Sequence, residues 1–254
     1  MYDIIDSHCH LDFDAFNCDR NAVIEHAHNK GIKHIIIPGV KRNSWDLIRT
    51  ICDNNKQIHA CYGLHPYLAG EHTDEDIIQL RHWLENNDCV AVGECGLDFR
   101  SNQADKQVQL KLFNAQLDIA HELAKPVVIH SVRATEDVIG SIKNHPGLRG
   151  MIHSYSGSYE QAKQLIDLGF YISFGGAITY DNAKKLRAIA SSIPLDSILL
   201  ETDAPDQPDA DHFNQRNEPA YLVNVLQCLS ELRDEPIEEI ARQTTSNAKD
   251  LFQI

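Results

Sequence analysis

The sequence predicts an α/β chain folded as a (β/α)8 TIM barrel with extra C-terminal helices, a single domain over residues 1–254. Three observations predict it. Short β-branched apolar runs recur eight times, stretches of helical period lie between them, and ionisable residues collect where the runs end. A barrel of this kind routinely occupies about 250 residues as one domain, and it builds its active site at the carboxyl ends of its strands.

The expected strands are residues 2–6, 32–37, 57–62, 89–92, 126–129, 148–152, 170–174 and 197–200. Among the helices, residues 19–30 carry Val23, Ile24 and Ala27 before the stop at Gly31. Residues 73–86 open on Thr73 as N-cap with acids behind it, as a helix dipole prefers. Residues 107–123 repeat Leu110, Phe113, Leu117 and Ala120 at helical spacing and end before Pro126. Residues 158–168 stop at Gly169, and residues 180–192 stop before Pro194. The tail, 219–254, reads as two or three helices with Pro236 in a first turn. Residues 204–218, rich in Asp, Pro and Gln, form the longest irregular stretch; following the eighth strand, they are expected over the barrel mouth.

Apolar residues at 43% and charged residues at 24% suit a globular chain, and no apolar run is long enough to span a membrane. The amino terminus enters a strand without a basic stretch and apolar h-region, so the expectation is a cytoplasmic protein with no obligate protein partner. Seven cysteines, odd in number and with no Cys-x-x-Cys pair, fit a reduced compartment in which most serve as small buried side chains. A net charge of -14 argues against holding nucleic acid on a broad basic face. It leaves open an enzyme that meets phosphate through bound cations.

The ionisable residues carry the chemistry. Along a strand successive side chains alternate faces, so His8 and His10 share one face while Cys9 points away. The third strand runs into Gly63-Leu64-His65-Pro66 and the fourth into Gly93-Glu94-Cys95-Gly96-Leu97-Asp98. The fifth ends at His130, the sixth at His153, and the eighth at Glu201-Thr202-Asp203. Any one of these histidines, taken alone, is more often hydrogen-bonded in place than a ligand; independent strands repeating the pattern weaken that reading. Unpaired charges and imidazoles converging on one mouth would be costly, and divalent cations would pair them. Imidazole and oxygen donors without thiolate suit Mg, Mn, Zn, Fe or Ni without choosing among them. Two ions are expected, with Glu94 as the bridge because one carboxylate offers two oxygens. Asp6, Asp98 and Glu201 are candidates for orienting the ligands. His26, His28, His72, His82, His121 and His145 are expected in solvated helical or turn positions, His34 and His59 within strands, and His212 in the long loop.

In order along the chain stand DSHCHLD, GLHP, VGECGLD, PVVIH, HSYSGS, SFGG, LLETDAP, RNEPAYL and TTSNAKDLF. Together these resemble the TatD family of metal-dependent hydrolases and deoxyribonucleases, within the amidohydrolase-like superfamily. The resemblance implies one ion held by His8, His10, Glu94 and Asp203 and a second held by Glu94, His130 and His153. It implies His65 and Arg216 near the substrate, and single-stranded DNA attacked from its 3′ end. Two positions depart from the family pattern. His130-Ser131-Val132-Arg133 sets Arg133 one residue later than the usual arginine, and Tyr155 stands where Phe is usual.

For mechanism, the expectation is a water activated at the binuclear centre by Glu94 and Asp203, with Asp203 accepting the proton. Arg133, His65 or Arg216 would hold a flanking phosphate. Phe99, Tyr67, Tyr155 and Tyr180 are as readily core or rim residues as base contacts. The same ligands would also serve a lactonase, a cyclic amidase or a small phosphodiesterase. A non-catalytic metal-holding scaffold would lack a ligand or a general base, and neither is missing from the sequence.

Overall fold

The computed structural model describes residues 2–254. Eight parallel strands follow one another around a single sheet in sequence order, each hydrogen-bonded to the next. They are β1 (Ile4–Asp6), β2 (Ile32–Pro38), β3 (Ile58–Tyr62), β4 (Ala91–Asp98), β5 (Val127–Val132), β6 (Gly150–Ile152), β7 (Phe170–Phe174) and β8 (Ile198–Leu200). A few bonds draw the first and last together. Ser7 donates its backbone N–H to Leu200 O at 3.0 Å, and Asp203 donates its own to His8 O at 2.9 Å.

Strand alternation sorts the apolar residues into two cores. Ile5, Ile36, Cys61, Ala91, Val128, Met151 and Leu199 point inward as one cluster, joined by Ala248, Leu251 and Phe252 of the last helix. Their neighbours Ile4, Ile35, Ile37, Val127, Ile129 and Ile152 point outward against the surrounding helices. The helices are α1 (Arg20–Asn29), α2 (Trp45–Asn54), α3 (Asp74–Asn86), α4 (Lys106–Glu122), α5 (Thr135–Lys143), α6 (Tyr159–Asp167), α7 (Lys184–Ser192), α8 (Leu222–Leu232) and α9 (Ile237–Phe252). Thr73 and Ser158 cap α3 and α6 through reciprocal capping boxes with Asp76 and Gln161. Among these residues no helix is long and apolar enough to cross a membrane.

Three differences from the expected elements have physical causes. β4 and β5 run past the expected ends to Asp98 and Val132; their polar residues are buried towards the mouth, so loss of apolar character does not end the strand. The sequence reading assigns no helix to α2 or α5. Each is held by tertiary packing of a one-sided stripe, Trp45, Ile48 and Ile51 in α2 and Val138, Ile139 and Ile142 in α5. α7 begins at Lys184 rather than at Tyr180, which instead sends its hydroxyl to Pro208 O at 3.0 Å. All seven cysteines are free, with Cys9, Cys61, Cys95 and Cys228 buried.

Candidate metal centre

Past Asp6 the chain bends at Ser7 and leaves the sheet, and its neighbours take up its backbone. Cys9 N–H donates to Ile36 O at 3.0 Å and His10 N–H to Ala204 O at 2.7 Å. His8 and His10 both reach Glu94, while Cys9 between them is buried in the outer core. Glu94 is aimed by an irregularity in β4, whose register shifts between Val92 and Cys95. Gly93 and Gly96 take φ of 153° and 139° there, and a Cβ on Gly96 would lie 2.0 Å from His130 O. Only glycine fits that approach.

Two groups of donor atoms meet on the one carboxylate. His8 Nε2 lies 3.3 Å from His10 Nε2, 3.3 Å from Glu94 Oε2 and 3.4 Å from Asp203 Oδ1. His10 Nε2 lies 3.4 Å from Glu94 Oε2 and 3.5 Å from Asp203 Oδ1. Around Glu94 Oε1 gather His130 Nδ1, His153 Nε2 and His65 Nε2, each at 3.0 Å, with the first two 3.1 Å apart.

This donor set fits a divalent cation. Zinc-to-nitrogen and zinc-to-oxygen bonds of about 2.0 to 2.2 Å give a tetrahedron with edges of about 3.4 Å, and the five separations in the first group cluster around that length. Two imidazole nitrogens facing each other beside two carboxylate oxygens have few protons to share among them, and a cation resolves that crowding. His65 differs from the others. Its Nδ1 accepts from Tyr67 N–H at 2.9 Å, so in the neutral ring the proton sits on Nε2 and is donated to Glu94. That ring has no lone pair left for an ion at Nε2.

Electrostatics follow from burial and crowding. Burial alone would raise Glu94, yet His65, His153 and His8 hold it well below the usual carboxylate range. Burial and the neighbouring His153 lower His8; the two rings stack with centroids 3.9 Å apart, so both cannot carry a proton at ordinary cost. Burial takes His65 down to about 4, in keeping with a neutral donor.

The groups behind the donors are also in place. Asp98, fully buried, lies 3.4 Å from His130 Nε2 and takes a bidentate pair from Arg100. A proton on His130 Nε2 leaves the Nδ1 lone pair facing the centre. Glu201 stands 3.7 Å behind His153 Nδ1. Asp6 works on the backbone instead, accepting from Thr202 N–H at 3.0 Å and Thr202 Oγ1 at 2.6 Å across the seam between β1 and β8.

Not every expected substrate residue faces the mouth freely. Arg216 forks onto Asp19 at 2.9 and 2.7 Å, reaches Glu218 at 2.9 Å and lies over the Phe16 ring. With a further bond from Nη1 to Ala15 O at 2.7 Å, four of its five N–H donors are engaged within the chain. Arg133 is exposed, with a left-handed φ of 54°. Of the histidines expected to be solvated, two are not: the His145 side chain is 10% exposed and pairs with Asp118 at 3.0 Å, and half-buried His72 lies 3.3 Å from His65 O. His34 and His59 bond each other at 2.8 Å from adjacent strands.

Sequence reasoning missed Gln207. Its side-chain amide donates to Asp203 Oδ2, and its Oε1 accepts from Ser154 Oγ at 2.7 Å. One lone pair of Asp203 Oδ2, the oxygen turned away from His8, is therefore already taken. Position in the loop after β8 was the one signal available. Asp12 was missed too; it is 5% exposed, and burial pushes its carboxyl up to about 6.

The sequence model of the TatD related DNase family matches residues 5–253. The uncharacterized metal-dependent hydrolase YjjV of Escherichia coli K12 is 37% identical over 253 residues, covering 98% of each chain. YabD of Bacillus subtilis, likewise an uncharacterized metal-dependent hydrolase, is 35% identical over 253 residues, covering 99% of each. The crystal structure of the E. coli YjjV protein superposes with a TM-score of 0.94 over 99% of this chain and 98% of that one, at 37% identity. A TatD family hydrolase of Entamoeba histolytica, 21% identical, shares the fold with a TM-score of 0.86 over 99% of this chain and 98% of its own.

Proposed function

The chain belongs to the TatD family of metal-dependent hydrolases, and from that premise we propose that it is a deoxyribonuclease working through two divalent cations, removing nucleotides from the 3′ end of single-stranded DNA. The observation that carries the two-ion reading is the sharing of Glu94, whose Oε2 faces His8 and His10 while its Oε1 faces His130 and His153. DNA as substrate rests on the family description. His8, His10, Glu94 and Asp203 would hold one ion, and Glu94, His130 and His153 the other.

Bound there, the cations would bring the pKa of a water towards about 7 and neutralise charge developing on the phosphoryl oxygens. The protein's own groups do the rest. Asp203 is the proton acceptor through Oδ2, which accepts the Gln207 amide on one lone pair and keeps the other for the proton. His65, protonated on Nε2, braces Glu94. Arg133 is the cation with freedom to hold a flanking phosphate; Arg216 would first have to leave Asp19.

A panel of single-stranded oligonucleotide, simple phosphodiester, lactone and cyclic amide, run with Mn, Mg and Zn and again with a chelator, tests the reading. Stepwise loss of nucleotides from the 3′ end that stops on chelation is expected, and Asp203→Asn with metal bound should lose most of the rate. Intact oligonucleotide alongside a hydrolysed lactone or amide would overturn the nuclease assignment and leave the metal centre standing.

A further inference from the structure

Beside the centre, on the rim formed by the segments after β7 and β8, lies a cleft of about 530 Å³ that the reading above does not use. Gln207 joins the two: it lines the cleft, and its amide is bonded to Asp203.

Two features describe what the cleft can hold. The first is aromatic. Phe213 is 62% exposed, and Tyr180 meets it edge to face with centroids 6.3 Å apart. A single exposed apolar side chain is ordinary, but this one is carried on an anchored loop. Buried Asp209 accepts from the backbone of Asp211 and His212 and from Asn224, and the His212 ring stacks on Tyr221 at 3.5 Å. The exposed Phe213 ring thus follows directly on an anchored segment.

The second is polar but uncharged. Asn182, Asn214 and Gln215 line the cleft, residues whose side-chain amides carry both donors and an acceptor, whereas the Gln207 amide is already taken by Asp203 and Ser154. No lysine or arginine lines it, and the carboxylate of Asp206 does. A phosphate would be repelled there. A neutral planar ring with donors and acceptors on its edge would stack on Phe213 and bond the amides.

We propose that this cleft receives the nucleobase of the nucleotide adjoining the phosphodiester under attack. The proposal rests on the deoxyribonuclease reading for its ligand class, and the test separates the two. Deoxythymidine 5′-monophosphate and 2-deoxyribose 5-phosphate, which differ by the base, are titrated into metal-loaded protein by calorimetry. Stacking of the size found on such platforms predicts that wild type binds the nucleotide about tenfold more tightly than the sugar phosphate. Phe213→Ala should bring the two within about twofold, and Phe213→Trp should keep the preference; the exposure of this residue makes both variants safe for folding. No base preference in wild type, or a preference untouched by both Phe213→Ala and Asn182→Ala, overturns the proposal. Single-stranded DNA cleavage by the same preparations then divides the cases. Cutting without base preference sinks the pocket alone, whereas a Phe213-dependent preference without cutting sinks the nuclease reading and leaves a base-binding cleft.

Discussion

Replacing Asp98 by Asn removes one charge and almost no volume from a fully buried position. The carboxylate accepts from Arg100 N–H at 3.0 Å and from its guanidinium, and stands 3.4 Å from His130 Nε2. Charge-assisted hydrogen bonds contribute about 1.5 to 3 kcal/mol each when sheltered. Here the Arg100 side chain is 47% exposed, so solvent screens its half of the pair to about 1 kcal/mol or less. The net cost to folding is about 1 to 2 kcal/mol, a fall in Tm of about 2 to 8 °C for a chain of this size. The larger effect is on metal. With no anion behind it, His130 loses the preference for a proton on Nε2, and metal affinity should fall about 10- to 100-fold. Calorimetric titration with Zn and Mn reads this directly, with Arg100→Ala as the comparison, since it leaves the Asp98 charge on His130. Acid sensitivity gives a second readout. Burial would raise Asp98, but the bonds from His130 and Arg100 outweigh it and hold the carboxyl well below its ordinary value. Its stabilisation is therefore present above the unfolded pKa of about 3.9 and lost as pH falls below it, a limb that Asp98→Asn should lack. Wild-type metal affinity in Asp98→Asn would refute the claim that this residue orients His130.

On the proposed two-ion reading, Glu94→Gln should lower bound metal from two equivalents to one or none and abolish hydrolysis, by elemental analysis and rate; two retained ions would show that the shared carboxylate is not the bridge. Gly96→Ala forces a Cβ to within 2.0 Å of His130 O at a φ of 139°, so about 3 kcal/mol or more of stability should be lost in denaturant melts, and a wild-type midpoint would contradict the close strand approach. Away from the centre, burial and then His34 take His59 down to about 4. The folded state thus binds fewer protons than the unfolded one between pH 4 and about 6.5, and stability falls as pH drops through that window. His59→Gln should flatten the pH slope of Tm there, and an unchanged slope would remove the pair as its source.

How much of this was legible depended on whether a residue's role is local. Alternation along an extended chain is local, so eight strands and the shared face of His8 and His10 could be read from apolar runs and spacing alone. Thr73 as a cap, and the stops at Gly31 and Gly169, were legible because a helix end must satisfy its own backbone. The lengths of β4 and β5 were not, since polar Glu94, Asp98 and His130 mark the ends of the apolar runs, and only burial by neighbouring strands carries the strands on to Asp98 and Val132. Partner choice was equally hidden. That Arg216 turns to Asp19, nearly two hundred positions away in the chain, that Gln207 covers the outer oxygen of Asp203, and that Tyr67 N–H selects the tautomer of His65 all depend on which groups the closed barrel brings within about 3 Å of one another. Sequence determined which donors were available; the competition among them for protons and partners was decided only when the barrel closed.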